Sequence, residues 1–428
     1  MNRDGNPNYR IVKLRFDKKQ QALERRKFIQ QGGLASAALI AGTSAIASGR
    51  RKWGANDTIN IGVIGTGDRG GGLIPIINDI KGLHVAACAD ILPFRLEAAL
   101  SKTDQKADGY KDYKQILDNG DIDAVLIATP FNLHAKVALD AMDAGKHIYC
   151  EKTLAKGYGG IEELVQRAGS SSKIFQTGHQ YHSSRLYAHV VEMIHKGEIG
   201  KVSSFECQWN RNGNWRRPVP DPSLERQINW RMYREYSGGL AAELSSHQID
   251  FVNWVLGENP YKIMGVGGID YWKDGRETFD NIHLLYEYPS GVKATFTCLT
   301  SNAQGDYQIK IHGDKGTILL DYTKAWIYYE KGNEKEMGNV DGVSGATVNP
   351  MMQGKGTAIQ MEHQDPSNQA LIDLRDSIID KRTPLSNIQT GSKTAIAVQL
   401  WFDAMIMGEI KFWGGQGDVF LAAFGIYR

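Results

Sequence analysis

The segment TINIGVIGTGDRGGGLIPIINDIKGLHVAACAD, residues 58 to 90, contains the strongest structural signals in this chain. Its apolar run Ile59 to Ile64 predicts a buried strand. Three glycines with the spacing GxGxxG follow directly: Gly65, Gly67 and Gly70. An apolar segment then predicts a helix, and a second apolar run ends at Asp90. The order strand, glycine turn, helix, strand and acid is typical of a dinucleotide-binding unit.

Each glycine has a physical role if this turn binds a dinucleotide. Gly65 would allow the tight turn, Gly67 would let the backbone approach a pyrophosphate, and Gly70 would pack the helix against the strand. The free N–H groups and the dipole at the helix N-terminus favour that anion. Asp68 and Arg69 lie inside the turn as further cofactor-binding candidates, and Arg69 could hold phosphate.

Asp90 predicts NAD rather than NADP. It lies twenty residues after Gly70, where a carboxylate accepts hydrogen bonds from the adenosine ribose hydroxyls. A carboxylate there repels a 2'-phosphate, and Ile91 beside it adds no positive charge. We therefore expect NAD as the cofactor.

Residues 1–47 have the features of an export signal. Arg25 and Arg26 precede a mild apolar stretch from Leu34 to Ala47, and Ala45-Ile46-Ala47 offers a small-x-small cleavage site. This pattern resembles a twin-arginine signal peptide, which predicts a periplasmic protein. The apolar stretch is short and rich in small residues, so no permanent membrane anchor is expected.

Export through the twin-arginine translocase would have a consequence for the cofactor. That route carries folded proteins, so NAD can be bound before the protein crosses the membrane. Free nicotinamide cofactor is scarce outside the cytoplasm. We therefore expect NAD to be tightly bound and regenerated on the protein.

Charge and cysteine usage exclude other classes of partner. Nine of the 50 Lys and Arg and three of the 48 Asp and Glu lie in residues 1–47, which leaves 41 and 45, a net charge of −4. The basic excess belongs to the predicted leader, so no nucleic-acid surface is expected. The cysteines lack metal-type spacing and are expected to be buried thiols: Cys88, Cys150, Cys207 and Cys298.

Strands alternate with helices after Asp90. Ile122 to Pro130 predicts a fully buried strand, His134 to Gly145 a helix, and His147 to Lys152 another strand. This alternation predicts an α/β domain with a doubly wound parallel sheet, whose ligands bind beyond the carboxyl ends of the strands. The residues expected to face the nicotinamide half of the cofactor are Thr129, Pro130, Asn132, His134, Glu151 and Lys152.

These motifs together resemble the glucose-fructose oxidoreductase, inositol dehydrogenase and MocA (Gfo/Idh/MocA) family. The matching pieces are the GxGxxG turn, ATPxxxH at Ala128 to His134, and AGKHIYCEKTLA at Ala144 to Ala155. The family's usual Glu-Lys-Pro occurs here as Glu151-Lys152-Thr153. The resemblance implies a Rossmann domain followed by an α+β domain, and a C-terminal tail that packs back on the first domain.

The second domain is expected to contain one open, mainly antiparallel sheet. Lys201 to Asn210 alternates apolar and polar residues, and a hairpin turns at Pro289 to Gly291. In the family this sheet mediates oligomers, so a homodimer or homotetramer is expected.

The predicted segments are the signal (1–47), an NAD-binding domain (57–178), a substrate and oligomerisation domain (179–362) and a helical tail (363–428).

The segment Gly238 to Gly257 carries the catalytic candidates. Glu243, His247 and Asp250 have the spacing i, i+4, i+7 of one helical face. A carboxylate one turn from a histidine can set its tautomer and basicity, although a solvated polar face has the same spacing. The family's Asp-x-Gly-x-His-x-x-Asp pattern resembles Glu243 to Asp250, with Glu in place of Asp and Ser245 in place of Gly. The resemblance implies that His247 is the acid/base and Glu243 its orienting partner.

Other polar and aromatic residues would suit a sugar ligand, because aromatic rings offer apolar faces and polar side chains can bind hydroxyl groups. The same residue types would equally occur in a polar loop that covers a sheet. The substrate-binding candidates are His179, Tyr181, His182, Arg211, Trp215, Arg216, Trp230 and Asp250. His179 and His182 with Glu243 and His247 could imitate a metal site. The family needs none, so no metal is assigned.

We predict hydride transfer between a secondary alcohol of a sugar or sugar derivative and NAD. His247 would accept the hydroxyl proton, and Lys152 would bind the same oxygen. An alternative resembles the NAD-dependent N-acetylgalactosaminidases, which oxidise one carbon, eliminate the glycosidic bond and return the hydride. A non-catalytic sugar-sensing protein is a further alternative, although such a protein would be expected to lose Lys152 or His247.

Overall fold

The computed structural model describes residues 57–330, 356–362 and 364–414. The predicted export signal at residues 1–47 lies outside the described residues. All described residues belong to one structural unit. In this part of the chain, no helix is both long and apolar enough to cross a membrane.

The first half of the described chain forms a parallel sheet. Its strands are β1 (Ile59–Ile64), β2 (Leu83–Ala89), β3 (Asp108–Tyr110), β4 (Ala124–Ile127), β5 (His147–Cys150) and β6 (Phe175–Thr177). They alternate with the helices α1 (Asp68–Asn78), α2 (Pro93–Leu100), α3 (Lys114–Asp118), α4 (His134–Asp143) and α5 (Tyr158–Gly169). The strand order is β3-β2-β1-β4-β5-β6 with every pair parallel. This order confirms the predicted doubly wound dinucleotide-binding domain.

Burial on both faces explains the continuous apolar runs of this sheet. All four residues of β4 have no exposed surface. Val125 and Ile127 join the core on one face of the sheet, whereas Ala124 and Leu126 join the core on the other. Because successive side chains of a strand point to opposite faces, both sets must be apolar when helices cover both faces.

A larger mixed sheet forms the second half. Its strands are β7 (Val202–Trp209), β8 (Lys262–Gly268), β9 (Asn281–Glu287), β10 (Lys293–Leu299), β11 (Tyr307–Gly313), β12 (Gly316–Leu320), β13 (Ala325–Tyr329), β14 (Thr357–Ile359) and β15 (Lys411–Phe412). Their order is β14-β13-β12-β11-β7-β10-β9-β8-β15. Only the β7–β10 pair among these described strands is parallel, so the predicted open, mainly antiparallel sheet is confirmed.

Helices cover one face of this sheet. The remaining helices are α6 (Arg185–His195), α7 (Glu225–Ile228), α8 (Ser246–Leu256), α9 (Pro366–Asp380) and α10 (Ile388–Met407). The alternation in β7, as predicted, places Phe205, Cys207 and Trp209 in the same core as apolar residues of α6 and α8. The helical turn Ala241–Ser245 that precedes α8 packs on β7 and β10.

The two C-terminal helices join the sheets. Ala370 and Leu371 of α9 lie in the core beside α1 and β1, and the Gln176 side chain donates to the Ala370 carbonyl at 2.7 Å. Helix α10 packs on α5, α8 and β8. These contacts hold the second sheet at a fixed position relative to the first.

Candidate functional site

Two adjoining cavities, each of about 330 Å³, lie at the carboxyl ends of β1, β4 and β5. We call the first the turn cavity, since the glycine turn after β1, Asp90 and Asn132 line it. We call the second the histidine cavity, since Lys152, Glu243 and His247 line it. Ligands bind at this edge of doubly wound sheets. The residues that line both cavities are Asp68, Arg69, Ala128, Thr129, Trp215, Arg217, Trp230 and Arg231.

The glycine turn has the geometry that a dinucleotide requires. Gly65 has a φ of +85°, which disfavours any side chain, and a Cβ on it would lie 2.7 Å from the Ala128 carbonyl oxygen. A Cβ on Gly70 would lie 1.9 Å from the Gly65 carbonyl oxygen, so only glycine lets α1 pack this closely. Gly67 is the N-cap of α1, and no side chain caps the helix. The first N–H groups of α1 are therefore left for an anion.

Asp90 is held at the mouth of the turn cavity. Its carboxylate accepts hydrogen bonds from the Thr66 amide (2.8 Å), the Thr66 hydroxyl (3.2 Å) and the Leu92 amide (2.9 Å). A carboxylate has about four acceptor sites, so it can still accept from a ribose hydroxyl. Arg95 and Lys111 also line this cavity, and both were missed because they follow Asp90 on separate elements.

Residues of the loop after β4 line both cavities. Pro130 and Asn132 line the turn cavity, and the Asn132 side-chain oxygen is buried without a partner. His134 lines the histidine cavity, with its ring nitrogens 2.9 Å from the Thr153 carbonyl and 3.0 Å from the Thr129 carbonyl. His134 was predicted to contact the cofactor. The structure shows that it also braces the β4 loop against the segment after Lys152, and its contact with the cofactor stays a prediction.

Arg69 and Glu151 pair with each other across the site. The Arg69 Nε donates to a Glu151 carboxylate oxygen at 2.6 Å, and its Nη1 donates to the Ser367 hydroxyl at 3.1 Å. Glu151 is 5% exposed. Both side chains line the cleft as predicted, but the arginine is already neutralised by the carboxylate.

Lys152 reaches from the first domain to the turn that precedes α8. Its Nζ donates to the carbonyls of Glu243 (2.7 Å) and Ala242 (3.2 Å), and the Thr153 hydroxyl also donates to Ala242 at 3.1 Å. The Lys152–Thr153 peptide bond is cis. Burial holds the pKa of Lys152 below its usual 10.5. The lysine therefore ties the two domains together while one of its three N–H bonds stays available.

The turn Ala241–Ser245 is π-helical, which changes the predicted relation between Glu243 and His247. The spacing i, i+4 puts two residues on one face only where the helix has 3.6 residues per turn. Here the Glu243 carboxylate accepts from the Arg231 Nε at 2.9 Å and has no recorded bond to His247. Although burial opposes it, Arg231 and Lys152 hold the pKa of Glu243 below its usual value. The prediction that Glu243 orients His247 is therefore wrong in this geometry.

His247 is buried among aromatic rings. It is 5% exposed, and its ring centroid lies 5.2 Å from Tyr181, 5.8 Å from Trp209 and 5.9 Å from His179. Its Nδ1 is enclosed and has no partner. Burial, reinforced by the charge of Lys152, holds the pKa of His247 well below 6.5. The ring is therefore neutral at pH 7 and able to accept a proton.

Four of the predicted substrate contacts, His179, Tyr181, His182 and Asp250, lie in the protein interior instead. His182 Nε2 lies 2.7 Å from Asp250 Oδ2, and both side chains are about 5% exposed. Asp250 also accepts from the Thr394 hydroxyl of α10 at 2.9 Å, and the His182 ring stacks on Trp254. His179 has no exposed surface. None of the four lines either cavity, and Asp250 lies on a helix, α8, that packs against α10.

An arginine and tryptophan wall closes the histidine cavity. Arg211, Trp215 and Trp230 line it as predicted, whereas Arg216 does not, because it pairs with Glu225 and Asp274. The next residue, Arg217, lines both cavities and pairs with Asp68 at 2.9 Å. Sequence reasoning missed Arg217, to which only the neighbouring Arg216 pointed.

The carboxylates of the histidine cavity are all engaged. Each is paired with an arginine: Asp68 with Arg217, Glu151 with Arg69, and Glu243 with Arg231. An ion-paired carboxylate is a weak base, which leaves His247 as the unpaired base of this cavity. Within the described residues, no cluster of three or more His, Cys, Asp or Glu side chains could hold a metal ion.

Two segments of the chain match known protein families. Residues 59–179 match the family described as "Oxidoreductase family, NAD-binding Rossmann fold". Residues 187–319 match the family described as "GFO/IDH/MocA C-terminal domain". The two segments together include more than half of the 428 residues.

Several curated proteins are similar in sequence. A myo-inositol 2-dehydrogenase of Thermotoga maritima is 25% identical over 269 residues, 61% of this chain and 75% of that protein. A 2,7-anhydro-N-acetylneuraminate hydratase of Mediterraneibacter gnavus is 27% identical over 267 residues, 62% and 67% of the two chains. A levoglucosan dehydrogenase of Pseudarthrobacter phenanthrenivorans is 26% identical over 237 residues, 50% of this chain and 59% of its own length.

Solved structures share the fold. A levoglucosan dehydrogenase in complex with NADH and levoglucosan has a TM-score of 0.66 at 20% identity, over 83% of this chain and 99% of that one. An aldose-aldose oxidoreductase from Caulobacter crescentus, complexed with glycerol, has a TM-score of 0.65 at 19% identity, over 83% and 100% of the two chains. At these identities the likeness establishes the architecture.

Proposed function

Since this chain belongs to the GFO/IDH/MocA family of NAD-binding oxidoreductases, we propose that it oxidises a secondary alcohol of a sugar or sugar derivative. One observation carries the proposal. A neutral histidine, His247, and a buried lysine, Lys152, line the same cavity, and every carboxylate there is paired with an arginine. Similarity to levoglucosan and inositol dehydrogenases supports a carbohydrate substrate.

The residues of the turn cavity fit a dinucleotide. The uncapped N-terminus of α1 suits the pyrophosphate, and Asp90 suits the adenosine ribose. The unpartnered Asn132 oxygen and Thr129 hydroxyl remain for polar groups of the same ligand. A bound NAD would supply the hydride acceptor for oxidation of the substrate carbon.

His247 and Lys152 would handle the substrate oxygen. Because Nδ1 of His247 is enclosed, its Nε2 is the nitrogen available to take the hydroxyl proton. Lys152 already donates to two carbonyls, so its third N–H can bind the same substrate oxygen. Trp215 and Trp230 line the wall of the cavity, where aromatic rings exclude water and cover the apolar face of a sugar.

The test begins with protein purified without added nucleotide. We expect denaturation to release NAD, and a panel of sugars to raise the absorbance of the reduced nicotinamide ring in the folded protein. The variant His247→Asn should slow this change by at least about 100-fold, the usual range for a general base, with its NAD content unchanged. Wild-type rates in His247→Asn would contradict the proposal.

A second candidate is a redox-neutral lyase or glycosidase, such as an N-acetylgalactosaminidase. One observation favours it: the relatives include 2,7-anhydro-N-acetylneuraminate hydratases, which are named for hydration rather than for oxidation. Under this reading His247 and Lys152 keep the same roles, and the cleavage of a glycoside proceeds without net oxidation. Many turnovers on glycosides without any external acceptor would support it, whereas a single turnover per bound NAD would exclude it.

The location and assembly of the protein are further parts of the proposal. The twin arginines before the apolar stretch support export to the periplasm with tightly bound NAD. Replacing Arg25 and Arg26 with lysine should retain the protein in the cytoplasm, as cell fractionation would show. One face of the nine-stranded sheet is partly exposed, as the alternating burial of β9 and β10 shows. This face supports a homo-oligomer, which light scattering coupled to gel filtration would detect.

A further inference from the structure

Two neighbouring buried histidines each have a nitrogen without a partner. His247 Nδ1 and His179 Nε2 are both enclosed, and neither has a hydrogen-bond partner. The rings meet edge to face, with centroids 5.9 Å apart and planes at 81°. Leaving two buried polar nitrogens unpaired costs free energy, so a group that links them is expected at this point.

The far side of His179 has a hydrogen-bonded chain. The Thr177 hydroxyl lies 3.5 Å from His179 Nδ1 and 2.5 Å from the Ser386 hydroxyl. The Thr177 amide donates to the Ser386 carbonyl at 3.1 Å, which fixes the threonine backbone. If Nδ1 of His179 carries the proton, it donates to Thr177, and the Thr177 hydroxyl donates onward to Ser386. His179 Nε2 is then bare and must act as an acceptor.

The carboxylates near His247 are already committed. Glu243 accepts from Arg231, and Asp250 accepts from Thr394 and pairs with His182. The side chains that face the His247 ring from neighbouring elements are the rings of His179, Tyr181 and Trp209. His247 therefore lacks the carboxylate partner that usually fixes the tautomer of a catalytic histidine.

We propose that His179 is the positioning residue of His247: the His247 Nδ1–H donates to one buried water, which in turn donates to the bare Nε2 of His179, and this keeps His247 Nε2 free for the substrate. The water has polar partners on both sides, as a buried water requires. A neutral partner fixes the tautomer without adding a carboxylate that would raise the basicity of His247. The catalytic half of this inference rests on the proposed function, whereas the tautomer does not.

A rival arrangement exists in the same pocket. The Trp209 indole N–H is also buried without a partner, and its ring lies 5.8 Å from that of His247. Indole can only donate, so a bond from Trp209 to His247 Nδ1 would require the opposite tautomer, with the proton on Nε2. The two arrangements therefore predict different protonated nitrogens in the resting protein.

Nuclear magnetic resonance of the 15N-histidine-labelled protein distinguishes them. The chain has 11 histidines, so the His247 signals are assigned by their loss in His247→Asn. We expect wild-type His247 to be protonated at Nδ1. In His179→Leu the proton should move toward Nε2, and in His179→Gln it should stay on Nδ1, since the glutamine oxygen can still accept. Protonation at Nε2 in the wild type would overturn the proposal, as would an unchanged tautomer in His179→Leu.

Kinetics provide the second arm. His179→Leu should lower kcat at least about tenfold and leave KM for the sugar within about twofold of wild type. The reason is that the proton of His247 moves toward Nε2, the nitrogen that must accept the substrate proton, while the cavity stays intact. His179→Gln should restore most of kcat, which a purely structural role would not explain. A wild-type protein that oxidises no sugar, yet shows Nδ1–H at His247, would refute the proposed function and leave the positioning role standing. Equal kcat in His179→Leu and wild type would refute the positioning role.

Discussion

His247 combines deep burial with a position beside Lys152, and both features disfavour its charged form. Its pKa is therefore lowered below 6.5, so the neutral base persists to lower pH than for an exposed histidine. We expect the acid limb of kcat/KM for sugar oxidation to lie below pH 6.5, with little loss between pH 7.5 and pH 6.5. A pH–rate profile of the purified protein measures this limb.

The lysine supplies the control for that profile. In Lys152→Met a positive charge next to His247 is removed, so the pKa of His247 should rise and the acid limb of the residual activity should move to higher pH. A limb at or above pH 6.5 in the wild type, or no movement in Lys152→Met, would show that another group titrates.

Neighbouring residues of one loop can have unrelated roles, as Arg216 and Arg217 show. Arg216 holds the loop through Asp274 and Glu225, whereas Arg217 bridges to Asp68 at the N-terminus of α1. We expect Arg217→Met to weaken NAD retention with little change in Tm, because the Asp68 pair is exposed and worth at most about 1 kcal/mol. Fluorescence titration of stripped protein with NAD measures the retention.

Arg216→Met is the matched control in the same loop. It removes an arginine with two carboxylate partners, so Tm should fall by several degrees while a direct effect on NAD affinity is not expected. If both variants change NAD affinity equally, the conformation of the whole loop controls NAD binding, and the specific assignment of Arg217 to the cofactor site is wrong.

Helix α1 offers another matched pair, because Gly70 and Gly72 lie two residues apart and face opposite ways. A Cβ on Gly70 would lie 1.9 Å from the Gly65 carbonyl, whereas a Cβ on Gly72 would meet nothing within 4 Å. Gly70→Ala should abolish NAD binding or prevent folding. Gly72→Ala should raise stability by about 0.5 to 1 kcal/mol, since alanine is the better helix former.

Calorimetry and NAD content measured on both variants would check this pair. A Gly70→Ala protein with normal NAD content would mean that α1 can move away from β1, and that the close approach at the turn is not required for cofactor binding.

The whole molecule depends on several histidines that are buried in their neutral form. The clearest is His147, whose ring accepts a hydrogen bond from the Ile174 amide at 2.9 Å. Burial lowers the pKa of His147 to about 4. The unfolded chain binds a proton near pH 6.5 whereas the folded chain does not, so stability is lost as the pH falls from 6.5 toward 4. His147 alone accounts for roughly 3 kcal/mol of that loss as an upper value.

Thermal melts across this range test the assignment. We expect Tm to fall steadily below pH 6.5, and His147→Asn to flatten the slope although it lowers stability at pH 7. His283→Gln, at an exposed position of β9, is the control and should leave the slope unchanged. A slope that is the same in His147→Asn and wild type would assign the acid sensitivity to other groups.

The sequence by itself determined the types of the two sheets and the position of the cleft. Strand periodicity, the GxGxxG spacing and the acid after β2 are local signals, because each depends on residues close together in the chain. They correctly placed the turn cavity at Gly65 and Asp90, whereas the family resemblance was needed to bring Lys152 and His247 to one site.

Only the tertiary structure decided which polar groups pair within that site. Glu243 pairs with Arg231, Arg217 rather than Arg216 enters the cleft, and four predicted substrate contacts lie buried outside it. A π-helical turn before His247 breaks the 3.6-residue spacing on which the predicted catalytic face was based. Charge pairing of this kind depends on distances across the fold, and helical periodicity along the chain contains no information about them.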